Sequence, residues 1–192
     1  MVAKDFRNKA WAALKGKWGT FALIAFIYSL IVSAVTATGI GSMLTVIVSG
    51  PLTLGVSIVS LKVIRGFDID LKDMFEGFNN FLNSFLLGLV NAIFVFLWSL
   101  LFFVPGIIKQ LSYSMSYYIM AENPEISQSD ARKKSMEMMQ GHKWRLFCLQ
   151  FSFIGWILLS ILTLGILLFW IMPYMQTAAA AFYEDLKTKQ AQ

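Results

Sequence analysis

One cysteine and one histidine are all that the 192 residues hold of soft metal-ligand chemistry. Cys148 has no second thiol for an internal disulfide and no Cys or His partner at metal spacing, so it reads as a small core residue. His142 stands between Gly141 and Lys143, where the chain is expected to meet lipid headgroups, and this favours an interfacial role. No phosphate-cradling glycine loop or nucleotide fingerprint is present. The long uncharged blocks contain no Asp, Glu or His, so neither paired carboxylates nor zinc ligands nor a Ser-His-Asp arrangement can be assembled within them. No enzyme, metal or cofactor is expected on these grounds. A membrane enzyme drawing on His142, Asp130 and Glu122 lacks a coherent arrangement.

Charge is scarce and sharply confined. Of 27 charged side chains, 26 lie in the stretches 1–17, 62–78, 122–145 and 184–192, and Lys109 alone falls outside them. A bilayer core about 30 Å thick needs about twenty residues of helix. Each block between charged stretches is long enough to cross twice, which predicts three helical hairpins. Their tips are expected at the small and turn-forming residues Thr38-Gly39-Ile40-Gly41-Ser42, Val104-Pro105-Gly106 and Thr163-Leu164-Gly165. Six spans follow, at 18–38, 43–64, 79–103, 105–121, 144–163 and 166–183.

An even number of crossings places both termini on one side, and the Lys and Arg bias of the short loops assigns that side to the cytoplasm. With 57% hydrophobic and 14% charged residues, the composition is too apolar for a soluble domain. The long charged N-terminal region and the absence of a small-x-small cleavage site argue that Phe21 to Val35 is a retained span rather than a signal peptide. The net charge of +5 is spread beside the expected membrane boundaries, where it serves orientation and attraction to anionic headgroups, not nucleic acid. Trp11, Trp18, Trp144 and Tyr183 fit an aromatic belt.

The hairpins suggest a repeat, with units of about 1–64, 65–121 and 122–192 in a single all-α membrane domain. Each hairpin follows a short amphipathic segment and a glycine: Gly16, Gly77 or Gly141. In the middle unit Leu71, Met74, Phe75 and Phe78 form an apolar stripe opposite Asp70, Lys72, Asp73 and Glu76, which predicts a helix lying on the inner membrane surface. Phe6, Ala10, Ala13 and Leu14 group together in the first unit. The third opens with a capping pattern from Ser127 to Asp130. One arrangement of these segments is a collar in which the acidic middle helix bridges two basic ones; the plainer one is three ordinary interfacial helices. Pro51, Pro105 and Pro173 mark the returning helices, whose small residues Gly55, Ser57, Ser60 and Ala178–Ala181 suit a central position.

Two groups of residues are candidate contacts. On the fourth span Lys109, Ser112, Tyr113, Ser116 and Tyr117 recur at helical spacing and form a polar stripe. Lys109 either snorkels to the outer headgroups or, with the stripe facing the bundle, helps to hold an anionic group such as a lipid phosphate. Gln110, Asn91, Gln150 and Gln176 are possible companions. Arg132, Lys133, Lys134, Lys143 and Arg145 are the candidate contacts to anionic lipid.

Several short strings resemble one family. Pro105-Gly106-Ile107-Ile108-Lys109, Tyr113-Ser114-Met115 and Asn123-Pro124, then Gly141-His142-Lys143, Arg145-Leu146-Phe147, Ser152 to Trp156, Leu162 to Gly165, Pro173-Tyr174 and Ala181-Phe182-Tyr183, are similar to the bacterial membrane proteins of domain-of-unknown-function family 975. The resemblance implies an integral membrane protein without an established activity, akin to membrane domains found beside glycerophosphodiester phosphodiesterases. It carries over no functional residues. The expected function is a non-enzymatic inner-membrane protein that organises lipids or modulates a membrane partner or a second copy of itself. The alternative is a small transporter, channel or lipid-translocating protein built on the Lys109 stripe.

Overall fold

The computed structural model describes residues 2–37, 41–101 and 103–190, which are helical with no strand among them. In chain order they form α1 (Ala3–Ala13), α2 (Trp18–Thr36), α3 (Gly41–Ile64), a 3-10 segment (Leu71–Asn80), α4 (Phe81–Leu101), α5 (Phe103–Tyr113) and α6 (Ser116–Glu122). There follow α7 (Gln128–Met138), α8 (Lys143–Phe151), α9 (Ile154–Leu162) and α10 (Leu168–Gln190).

Four rods among the described residues are long and apolar enough to cross a membrane: Trp18–Thr36, Leu44–Ile64, Leu71–Leu100 and Lys143–Leu162. They mark a membrane protein. The expected crossings at 105–121 and 166–183 are built differently. The first is divided at Ser114–Met115 into α5 and α6, and the second lies in α10, whose apolar start gives way to Gln176, Thr177, Glu184 and Asp185.

Of the expected tips, residues 38–40 lie outside the described residues. The tip at Val104–Gly106 falls inside α5, because α4 ends at Leu101 and α5 begins at Phe103. Pro105 is thus a first-turn proline, whose missing N–H costs nothing there. At the third place the chain does turn, with Leu164 and Gly165 both left-handed at φ 51° and 85°.

α3 is the hub, touching the 3-10 segment and α1, α2, α4, α6 and α10. Half of its apolar stretch is buried, against 11–22% for the other three rods. Large apolar side chains stay exposed on α2 (Leu23, Leu30), α4 (Phe96, Leu100) and α9 (Leu158, Leu162). In a soluble protein so continuous an apolar surface would aggregate, but in a bilayer it faces hydrocarbon.

Three short segments precede the long rods, and each opens on an aspartate that turns back to its own start. Asp5 accepts the Val2 N–H at 2.8 Å, Asp73 accepts the Asp70 N–H at 2.8 Å, and Asp130 accepts the Ser127 hydroxyl at 2.7 Å. α1 and α7 share their length of 11 residues, and each ends before a left-handed glycine, Gly16 at φ 80° and Gly141 at φ 73°. Only glycine adopts that conformation without a Cβ clash, so the chain can reverse there into the next helix. The three segments dock in rotation: the 3-10 segment on α3, α7 on α6 and α1 on α10.

The middle segment departs from expectation in two ways. It is a 3-10 helix rather than an α-helix, and it runs directly into α4; it packs along α3. Residues three apart eclipse in a 3-10 helix, so Leu71, Met74, Gly77 and Asn80 form a single line, with Met74 and Gly77 buried. Phe75, expected in the apolar stripe, is 46% exposed and instead begins a ring ladder through Phe78, Phe81 and Phe85. Gly77 makes no reversing turn like those at Gly16 and Gly141. A methyl group on it would overlap the Pro51 carbonyl oxygen, and one on Gly55 would overlap that of Met74. The two backbones touch, which only glycine permits.

Candidate functional site

The polar stripe does not lie on one continuous helix, because the chain breaks after Tyr113 and restarts at Ser116. The break frees the Ser112 carbonyl and the Met115 N–H, and Ser135 of α7 serves both. Its hydroxyl donates to the Ser112 oxygen at 2.8 Å and accepts from the Met115 nitrogen at 3.2 Å, with Ser135 fully buried. The Ser112 hydroxyl itself bonds back to Ile108 O at 2.7 Å. Tyr113 is buried edge-on to Phe94. Tyr117 reaches across to the bare backbone of Gly88. Lys109, half-buried, holds its ammonium 5.0 Å above the Trp98 ring. Among these groups only the Ser116 hydroxyl is buried without a hydrogen-bond partner.

Of the companions, Gln176 accepts the Tyr118 hydroxyl at 3.2 Å, Asn91 has a buried side-chain oxygen with no partner, and Gln110 and Gln150 are exposed. Of the stripe's five side chains, Ser112 is hydrogen-bonded, Lys109 and Tyr113 lie against rings, and Ser116 is buried without a partner.

The five candidate lipid contacts separate. Lys133 and Lys134 are exposed and Lys143 is half-buried. Arg132 turns inward, with its guanidinium 4.9 Å above the Phe94 ring. Arg145 turns inward too, pairing with Asp185 at 2.8 Å and covering Phe6 and Phe182.

The densest polar cluster centres on Glu122, at the C-terminal end of α6. Its carboxylate accepts the Tyr183 hydroxyl at 2.7 Å, the Lys187 ammonium at 2.8 Å and the Arg65 guanidinium. Arg65 also holds Glu184 at 2.7 Å. The C-terminal ends of α3, α6 and α10 are thereby tied at one place. Tyr118 stacks on Tyr183 just inside this cluster, at 5.7 Å. Beside it Lys62 bonds both Asp73 at 3.0 Å and Glu76 at 2.9 Å. The acidic middle segment thus pairs with α3, and among the described residues no ion pair joins it to α1 or α7. Sequence spacing could not find this cluster, since Arg65, Glu122 and Lys187 lie far apart in the chain.

Glu122, Asp130 and His142, the residues of the enzyme reading, each belong to different surroundings: Asp130 caps α7, and His142 sits near Arg145, Lys189 and Asp185. Burial first, then the neighbouring cations, hold the His142 pKa below its ordinary value, against the opposing pull of Asp185. Asp185 lies below the usual carboxylate range: burial raises it, but the bonds from Arg145 and Lys189 outweigh that. No group of His, Cys, Asp and Glu able to hold a metal occurs among the described residues.

A helical membrane bundle with an internally paired ionic cluster at Glu122 is the class these features define. The chain belongs to the family described as Protein of unknown function (DUF975), which matches residues 1–109 and 103–190. No curated protein and no solved structure matches it.

Proposed function

We propose that the chain is a non-catalytic, multi-pass protein of the bacterial inner membrane, with six crossings in three repeated hairpins, both termini in the cytoplasm, and a role in organising lipids. The observation that carries the topology is Glu122, whose contacts bring the C-terminal ends of α3, α6 and α10 together. Ionised groups are excluded from hydrocarbon, so three helices ending in one ionic cluster have all returned to the same face. The equal lengths of α1 and α7, an aspartate at the third position of each and the left-handed glycine after each support a repeat.

On that face the exposed Lys133 and Lys134, with the half-buried Lys143, meet anionic headgroups. Arg132 and Arg145 serve the protein's own packing instead. With a single cysteine placed in turn at positions 130, 165 and 187 in a Cys148→Ser background, an impermeant maleimide should label 130 and 187 only in inside-out vesicles and 165 only in right-side-out ones. Labelling of 130 and 187 on opposite faces would refute the topology. In phosphatidylglycerol–phosphatidylethanolamine nanodiscs, replacing Lys133, Lys134 and Lys143 with Gln should abolish phosphatidylglycerol enrichment around the protein. Unchanged enrichment removes the lipid role.

A second reading, translocation of a lipid or ion along the Lys109 stripe, is favoured by the unpaired buried oxygens of Ser116 and Asn91. Liposome scrambling and flux measurements on the native chain, Lys109→Leu and Tyr113→Phe decide it. Rates equal to those of protein-free vesicles dismiss it.

A further inference from the structure

We infer that the chain carries a docking groove for a basic amphipathic helix of a partner protein, between the 3-10 segment, the C-terminal half of α3 and the end of α6. Two adjoining hollows of about 460 and 430 Å³ share Ile58, Glu76 and Ala121 and make one continuous groove. Its floor is apolar, with part-exposed Ile58 and Ala121 lying over the buried Leu54, Leu61 and Met120.

The groove exists because the ring of short segments is incomplete there. α1 closes against both α10 and α3, and α7 closes against both α6 and α10, but the 3-10 segment meets the α6 side only at its end, where the Asn80 amide donates to the Pro124 carbonyl just past α6. A 3-10 helix is narrower than an α-helix, and Gly77 and Gly55 draw this one tightly onto α3. The space left beside it is open.

Charge selects the occupant. The cations at the rim are already engaged, Lys62 by Asp73 and Glu76, Arg65 by Glu122 and Glu184, and Lys17 by the Phe67 carbonyl oxygen. Asp68 and Glu125 are exposed on the lining with no ion pair among the described residues, and Glu76 shares a single lysine with Asp73. This sector is acidic in a chain whose net charge is +5. Phe67, 61% exposed, stands at one end as an apolar contact. An apolar floor under an acidic rim repels anionic headgroups and fits a helix with one apolar and one lysine-rich face. The inference goes beyond the lipid reading and uses a different surface; only its placement on the cytoplasmic side rests on the topology proposed above.

The test uses the full chain in nanodiscs of uncharged phosphatidylcholine, which expose both faces, so a failed topology would not alter the result. The probe is a labelled 14-residue Leu/Lys amphipathic helix, read by fluorescence anisotropy after subtraction of empty nanodiscs. Its controls are the same residues scrambled and a Leu/Glu version. The Leu/Lys helix should bind at least about tenfold more tightly than either control. Asp68→Lys with Glu125→Lys, which breaks no ion pair, should weaken binding about tenfold or more, and Ala121→Trp should block the floor. Glu137→Lys on α7 should leave binding unchanged. Equal binding of the three peptides, or native affinity in the Asp68/Glu125 variant, overturns the inference. So does native protein that is dimeric in detergent and becomes monomeric with those same substitutions, because the groove's occupant is then a second copy.

Discussion

Gly77 and Gly55 meet backbone to backbone, and through that contact the 3-10 segment lies against α3 with no side chain between them. The contact also brings Asp73 within 3.0 Å of Lys62, so packing and ion pairing at this point depend on the same two glycines.

Substituting alanine at Gly77 or Gly55 places a methyl group on a carbonyl oxygen of the opposite strand of backbone. Each change should cost about 1–3 kcal/mol, the range for forcing extra carbon into a packed interior. Gly155, with open space around its Cα, is the control. Thermal unfolding in detergent that shows equal midpoints for Gly77→Ala and Gly155→Ala would contradict the close approach.

Ser135→Ala removes the partner of both groups freed by the α5–α6 break. A buried donor and acceptor left unmade should cost about 1–3 kcal/mol. Amide exchange should rise at Met115 and Ser116 more than elsewhere. Uniform exchange with native stability would show that the break does not depend on Ser135.

Glu122→Gln keeps the shape of the side chain and removes the charge that Arg65 and Lys187 share. A loss of about 1–3 kcal/mol is expected, since charge-assisted bonds at a mostly buried carboxylate are replaced by neutral ones. Crosslinking between introduced cysteines on α3 and α10 should fall in parallel. If crosslinking and stability are both retained, the cluster does not hold those helix ends together.

Acidification should destabilise the bundle in two steps. The folded chain holds His142 below its ordinary value of 6.5, so the unfolded chain binds the proton more readily. The stability this group contributes is present above about pH 6.5 and is lost as pH falls through the lower folded value. The same sign holds for Asp185, whose folded value lies below 3.8, with its loss confined to pH below about 4. In unfolding curves against pH, His142→Gln should flatten the upper step and Asp185→Asn the lower. A bundle that gains stability between pH 7 and 5 would reverse the assignment.

Much of the architecture was legible because one physical rule operates along the chain. Charge confined to four stretches set the positions of the apolar rods, and the Ser127–Asp130 cap, the first-turn position of Pro105, the left-handed tip at Leu164–Gly165 and the central place of α3 followed from local chemistry. The middle segment differs from expectation because Leu71 and Met74 satisfy a spacing of three as well as an α-helical period, and only contact with α3 decides between them. The Lys109 stripe spans a break between Tyr113 and Ser116 that no residue preference announces. Arg132 and Arg145, placed among lipid contacts by charge alone, turned inward because Phe94, Phe6, Phe182 and Asp185 are within reach in three dimensions.

The sequence by itself determined which stretches are compatible with hydrocarbon, because the transfer free energy of a side chain depends on its identity and its near neighbours. Only the tertiary structure decided which charges find partners, where two backbones touch and where a groove is left open. Those outcomes depend on residues distant in the chain meeting within a few ångströms, and neither composition nor periodicity encodes that meeting.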